Sequence, residues 1–270
     1  MDDNLAMRSI PTSAEAGAAR VNILGVGVSP INMSMALKQV DDWIRARDGC
    51  HYVCVTGVHG IIESQQSEPL RRIHNQAGLV TPDGMPLVWV CRSCGFSQVE
   101  RVYGPDLMLA ICEHGLNKGY RHYFFGGASG TPERLAARLQ QRWPALRVAG
   151  TYSPPFHVPS ASEDEAMILL LNAAQADVIW VGLSTPKQER WMAEHAARLQ
   201  APVLIGVGAA FDFHAGLKLQ APRWIQRSGL EWLFRLLTEP RRLWRRYLSN
   251  NPRFVALLLM QRLGLRRWSL

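Results

Sequence analysis

The six residues Thr81-Pro-Asp-Gly-Met-Pro86 set one carboxylate, Asp83, between two prolines, directly after the apolar run Leu79-Val80. Proline fixes its own φ and restricts the residue before it, while Gly84 permits backbone geometry that other residues avoid, so the loop is expected to be stiff and sharply turned. A stiff loop can aim a side chain, which makes Asp83 the candidate reacting group. A solvated turn aspartate is the competing reading, because turns are rich in Asp, Pro and Gly.

Other segments could support chemistry on a phosphorylated ligand. Gly126-Gly-Ala-Ser-Gly130 stands between the apolar Tyr123-Phe-Phe125 and a helix start at Thr131-Pro-Glu133. Backbone N–H groups of such a loop, with a helix N-terminus behind them, can hold a diphosphate. The loop matches neither G-x-G-x-x-G nor the P-loop, which disfavours an NAD enzyme, a methyltransferase or an NTPase. Asp106, next to Pro105, reads equally as a helix-start device. There is no Asp-x-Asp pair and no His and carboxylate cluster at metal-ligand spacing, so a catalytic cation is not indicated. Cys91 and Cys94 have the spacing of half a zinc knuckle, yet Cys50 and Cys54 do not complete it, and reduced structural thiols are expected.

Periodicity indicates the elements that must position these groups. Val21–Val28 reads as an extended segment and Asn32–Ala46 as an amphipathic helix. Strands at 51–56, just before Asp83, and at 121–125, 146–152, 176–182 and 202–207 alternate with helices at 60 onward, 86–89, 105–112, 131–143, 163–174 and 188–199. This is the pattern of an α/β protein with a Rossmann-like parallel sheet and helices on both faces. Ligands of such sheets sit beyond the carboxyl ends of the strands. Thr56, Asp83, Gly126, Gly127, Lys187, Gln188 and Asp212 each closely follow a strand, so they could line one crevice.

Charge divides the chain. From Arg223 onward there are 11 Arg against Glu231 and Glu239, giving +9 of the total +8, and the preceding 222 residues carry −1. We therefore expect a disordered N-terminus over 1–19, a body over 20–222 and a basic amphipathic helical appendage over 223–270. Arg235, Arg242 and Arg245 would share one face if Pro240 leaves the helix axis straight. Trp232, Phe234, Leu237, Leu243, Trp244 and Leu248 could enter a lipid interface, with arginines near anionic headgroups. A solvated helix pair is the plain alternative, and a nucleic-acid tail lacks a base-reading motif. No apolar run in the tail approaches the ~20 residues of a membrane span. With no signal-like N-terminus, a cytosolic protein peripherally bound to a membrane is expected.

Taken together, Thr56, Val80–Pro86, Arg101–Asp106, Phe125–Gly127, Gly182–Glu189, Gly206–Gly216, Gln220–Trp224 and Gly229–Trp232 resemble the WecG/TagA/CpsF glycosyltransferase family. The resemblance spans about residues 21 to 250. It implies an inverting transfer of a sugar from a UDP-sugar to a polyprenyl-diphosphate-linked saccharide at the inner face of the membrane, in surface polysaccharide synthesis. It implies Asp83 as general base, Thr56 beside the sugars, and Gln188 near the nucleotide. Arg235, Arg242 and Arg245 would bind diphosphate, and Arg101, Asp106, Gly126, Gly127, Lys187 and Asp212 would belong to the substrate site. Val58-His59 departs from the Asn that many members carry two residues after the threonine. The alternative function is a non-catalytic, nucleotide-binding peripheral membrane protein.

Overall fold

A computed structural model describes residues 19–270 apart from 156 and 158. The expected disordered stretch, except Ala19, lies outside the described residues. Six strands form one parallel sheet: β3 (His51–Thr56), β4 (Leu79–Pro82), β5 (Arg121–Gly126), β6 (Arg147–Tyr152), β7 (Val178–Gly182) and β8 (Val203–Gly206). Their order across the sheet is β4-β3-β8-β7-β5-β6.

Alternation along the strands sends successive side chains to opposite faces and so builds two cores. Tyr52, Cys54, Phe125, Ile179, Val181 and Leu204 face one layer, while Val53, Phe124, Val178, Trp180, Val203 and Ile205 face the other. The first layer is closed by α2 (Val58–Gln66), α4 (Met85–Ser93), α7 (Ala161–Ala173) and α8 (Lys187–His195). The second is closed by α1 (Met33–Ala46), α5 (Gly104–Gly115), α6 (Thr131–Arg142) and α9 (Ala210–His214). Between α2 and α3 (Glu68–Gln76), Ser67 is extended and caps α3 through its hydroxyl, dividing a helix that periodicity suggests starts near Gly60.

Two expectations fail in informative ways. Residues 21–28 are not one extended segment but an antiparallel hairpin, β1 (Val21–Ile23) and β2 (Val26–Val28), separate from the main sheet. Its turn needs positive φ at Leu24 and Gly25, and the apolar flanks hid it because both of its strands are buried. The basic tail is not one straight helix. After α10 (Arg223–Arg227), α11 (Glu231–Thr238) ends at Glu239, whose φ of −132° and ψ of 53° leave the helical region, and Pro240 starts α12 (Pro240–Arg262). Arg235 therefore sits on a different helix from Arg242 and Arg245, and the spacing of seven and three does not define a shared face.

The tail is bound closely to the body. Leu243 and Phe254 of α12 are buried, and α12 packs along α2. In its last turn, Gln261 Nε2 donates to the carbonyl of Asn22 at 3.1 Å, and its Oε1 accepts from the N–H of Leu24 at 3.0 Å. Trp268 Nε1 donates to Gln65 Oε1 at 2.8 Å, and its carbonyl accepts from Asn22 Nδ2 at 2.6 Å.

Candidate active site

A cavity of about 870 Å³ opens beyond the carboxyl ends of β3, β4, β7 and β8, with α4, α11 and α12 as its other walls. Thr56, Asp83, Arg101, Gln188, Arg235 and Arg242 line it together with Arg246, whereas Arg245 does not.

The position of Asp83 is dictated by the sheet. Thr56 and Pro82 are parallel partners at the ends of β3 and β4, and the N–H of Asp83 donates to the Thr56 carbonyl at 3.0 Å, prolonging the ladder by one residue. The N–H of Gly104 donates to Asp83 Oδ1 at 3.2 Å, and Arg101 Nε donates to the Asp83 carbonyl. Gly84 has φ −106° and ψ 145°, ordinary extended backbone, so the sharpness of the loop comes from helix α4 starting at the next residue and not from a glycine-only conformation. Burial pushes the Asp83 carboxyl above its usual value, against the attraction of Arg101; Glu231 pushes the same way as burial. A carboxylate with raised proton affinity is suited to receive a proton.

Behind Thr56 lies a buried polar relay. His74 Nδ1 is 3.0 Å from the carbonyl of Leu70, which can only accept, so Nδ1 carries the proton and Nε2 the lone pair. Burial lowers the His74 pKa and keeps the ring neutral. Thr56 Oγ1 lies 3.1 Å from His74 Nε2 and 3.3 Å from the Cys54 carbonyl, both acceptors. Its single proton is thus spent inward, and only its lone pairs are left for a ligand.

The opposite wall is cationic. Arg235 and Arg246 each bury an Nε with no hydrogen-bond partner, and neither makes an ion pair among the described residues. Burial is the main influence lowering Arg246 to about 10, with Arg235 and Arg242 adding repulsion. His59, whose Nδ1 is 2.9 Å from Asn250 Nδ2, is pushed down to about 3 by burial and then by Arg246. Arg242 is shared with Glu239 at 2.7 Å. Two half-buried guanidinium groups without carboxylate partners among the described residues make a site for an anion with several oxygens, such as a diphosphate. Gln188, buried behind the same cavity, donates through Nε2 to Glu189 Oε1 at 3.1 Å and leaves its Oε1 without a partner.

The profile of the Glycosyl transferase WecG/TagA/CpsF family matches residues 21–268. The chain belongs to this family. It is similar to an N-acetylglucosaminyldiphosphoundecaprenol N-acetyl-beta-D-mannosaminyltransferase of Bacillus spizizenii, 29% identical over 197 residues, 73% of this chain and 74% of that one. A Staphylococcus aureus protein of the same name is 25% identical over 238 residues, 88% of this chain and 91% of its own. The protein is accordingly a glycosyltransferase, and its parallel α/β fold is the one the sequence pattern indicates.

Several residues expected at the site of this glycosyltransferase lie elsewhere. Gly126 and Gly127 have φ of 120° and 77°, and a Cβ on Gly126 would fall 2.7 Å from the Gly182 carbonyl carbon. The N–H of Gly127 donates to the Gly182 carbonyl at 2.9 Å. These glycines let β5 and β7 close together, one strand beyond the cavity, and do not line it. Asp106 and Lys187 are exposed, and Arg245 is exposed with its guanidinium 5.2 Å from the Trp244 ring. Asp212 pairs with Lys218 at 2.7 Å, which also reaches Glu239 at 3.3 Å, so it braces the junction of α11 and α12. The five cysteines are free, with Cys54, Cys91 and Cys112 buried.

The sequence reading passed over His74, Tyr103, Arg246 and Glu231 as site residues. Glu231 carried a signal nonetheless, as one of only two glutamates in an arginine-rich tail. It meets Arg101 at 2.5 Å and the Tyr103 hydroxyl at 3.0 Å.

Proposed function

We propose that this glycosyltransferase moves a hexose or N-acetylhexosamine from a UDP-sugar to a saccharide linked to a polyprenyl diphosphate, with inversion and without a metal ion, in surface polysaccharide synthesis. The observation that carries the reading is one cavity with a proton-accepting carboxylate, Asp83, on one wall and the unpaired Arg235 and Arg246 on the other. Asp83 takes the proton of the acceptor hydroxyl while its oxygen attacks the anomeric carbon opposite the departing UDP. One displacement then inverts that centre. Positioned base catalysis is worth ~10²–10⁴-fold. The guanidinium groups of Arg235, Arg246 and Arg242 stabilise charge developing on the diphosphate, the task a cation performs in other sites. The relatives' names, which specify a diphosphoundecaprenol acceptor and transfer of N-acetylmannosamine, support this substrate class.

The acceptor's lipid implies a membrane surface, and the tail suits one. No helix among the described residues is long and apolar enough to cross a membrane. Trp224, Leu237, Trp244, Leu248, Val255 and Leu259 are exposed on α10 to α12, interspersed with arginines. Large exposed apolar patches beside cations fit the headgroup region of an anionic inner leaflet.

The test is turnover of a UDP-sugar panel with synthetic polyprenyl-diphosphate-linked GlcNAc and glucose, with EDTA present. Product with the opposite anomeric configuration, by NMR, is the expected result. Retained configuration, dependence on a divalent ion, or UDP binding without turnover of any pair would each overturn the corresponding part of the reading, the last favouring a nucleotide-binding protein without catalysis.

A further inference from the structure

Arg101 does not point a free guanidinium into the cavity. Its Nε donates to the main-chain carbonyl of Asp83, its NH2 meets Glu231 Oε2 at 2.5 Å, and its guanidinium carbon lies 3.9 Å from the centre of the Tyr103 ring. The second oxygen of Glu231 accepts from the Tyr103 hydroxyl at 3.0 Å. Tyr103 leads directly into Gly104, whose N–H holds Asp83 Oδ1. Both groups that fix Asp83 from the 101–104 segment are therefore anchored, through one carboxylate, to the first turn of α11. The Arg101 and Glu231 side chains retain only 14% and 12% of their exposure, so this ion pair is largely withdrawn from water. Removing one member of such a pair leaves the other buried and uncompensated.

We propose that Glu231 is a positioning residue for Asp83: by clamping Arg101 and Tyr103 it ties the seating of α11 on the body to the placement of the reacting carboxylate. The base is then fully formed only when the arginine-bearing helices that receive the leaving group are in place. Glu231 touches no reacting atom. The importance of Asp83 in transfer rests on the function proposed above, whereas the clamp itself does not.

Charge gives the clamp a signature that packing alone lacks. The groups acting on Asp83 are Arg101, Tyr103 and the Gly104 N–H from the 101–104 segment, and Glu231 and Arg235 from α11. Glu231 raises the proton affinity of Asp83, and Arg101 and Arg235 lower it. In Glu231→Gln the shape is kept and the anion is lost, so Asp83 must ionise at lower pH. The experiment is a titration of the full-length protein labelled with 13C-carboxyl aspartate, in which the Asp83 resonance is assigned by its loss in Asp83→Asn. The expected result is a midpoint below that of the wild type, a matching shift of the acidic limb of kcat/KM to lower pH, and kcat reduced about 10–100-fold, the scale of a displaced catalytic group. UDP affinity is expected to change by less than about twofold, since both oxygens of Glu231 are engaged by Arg101 and Tyr103 and, among the described residues, it makes no ion pair with Arg235, Arg242 or Arg246, and each tenfold in affinity takes about 1.4 kcal/mol.

An unchanged midpoint with unchanged kcat would overturn the proposal, as would a loss of kcat accompanied by an equal loss of UDP binding and no movement of the limb. If Glu231→Gln does not fold, Glu231→Asp and Tyr103→Phe are titrated in the same way. The first should place Asp83 intermediately, the second should lower kcat with the ion pair intact, and wild-type behaviour in both would refute the clamp. Absence of turnover in the wild type would sink the proposed function, while the NMR midpoint would still decide the clamp.

Discussion

Replacing Arg246 by methionine should strengthen the free protein and weaken its hold on UDP. Methionine keeps an unbranched apolar stem and removes the charge. In the folded chain the guanidinium is pushed down to about 10, mainly by burial. Each tenfold change in proton affinity is about 1.4 kcal/mol, so at this half-buried group the folded state disfavours the charged form by up to roughly 3 kcal/mol before solvent screening reduces it. The sign follows from linkage. A cation whose pKa is lower in the folded than in the unfolded chain costs stability wherever the unfolded chain is protonated, which includes neutral pH. Recovery of even 1 kcal/mol raises Tm by about 2–4 °C for a chain of this size. The liganded state responds oppositely. A hydrogen bond to a charged group contributes about 1.5–3 kcal/mol, so losing it should weaken UDP binding about 10- to 150-fold. Differential scanning calorimetry and isothermal titration with UDP, on the wild type and Arg246→Met, read the two effects separately. A fall in Tm together with an unchanged Kd would refute the assignment of Arg246 to the anion. Arg245→Met serves as comparison and should leave UDP affinity within about twofold, because this exposed side chain lies outside the cavity.

Further outcomes are expected from the same geometry. Asp83→Asn should lower kcat by ~10²–10⁴-fold. Because the Asp83 pKa is raised on folding, its ionised form costs stability above the unfolded value, so the variant's Tm advantage should grow as pH rises through the carboxylate range; a falling advantage would contradict the burial argument. Thr56→Ser should keep most activity and Thr56→Val should lose it, since the latter leaves His74 Nε2 without its donor and offers a ligand no lone pair; equal activity of the two would remove Thr56 from the site. Phe254→Ala should cost about 3–5 kcal/mol by chemical denaturation, as for other buried aromatics, and a cost below about 1 kcal/mol would show that α12 is only loosely seated.

How far these features were legible depends on whether a local rule carried them. An unbroken apolar run such as Val178-Ile-Trp-Val181 exposes a strand buried on both faces directly, and so the parallel sheet could be read from the chain. The place of Asp83 at a strand end was legible because prolines and a preceding apolar run are sequence-local. The glycine loop was misleading, because Gly126 answers equally to a phosphate and to a neighbouring strand, and only strand order shows that Gly182 is what approaches it. The choice of Arg246 over Arg245 turns on helix phase after Glu239 leaves the helical region, a break that Pro240 signals but whose rotation it does not specify. Glu231 meets Arg101 across 130 residues, a pairing that no spacing rule reaches.

The bonds between residues 22–24 and 261–268 have a consequence in the time domain. At ~5–20 residues per second, a ribosome makes Gln261 roughly 10–50 s after Asn22. The hairpin that receives Gln261 and Trp268 is thus made long before its partners. During elongation, then, the sheet can form with Asp83 already on its edge, while the wall bearing Arg242 and Arg246 does not yet exist. A nascent chain of this protein lacks the guanidinium wall of the cavity until α12 has been made and seated against α2.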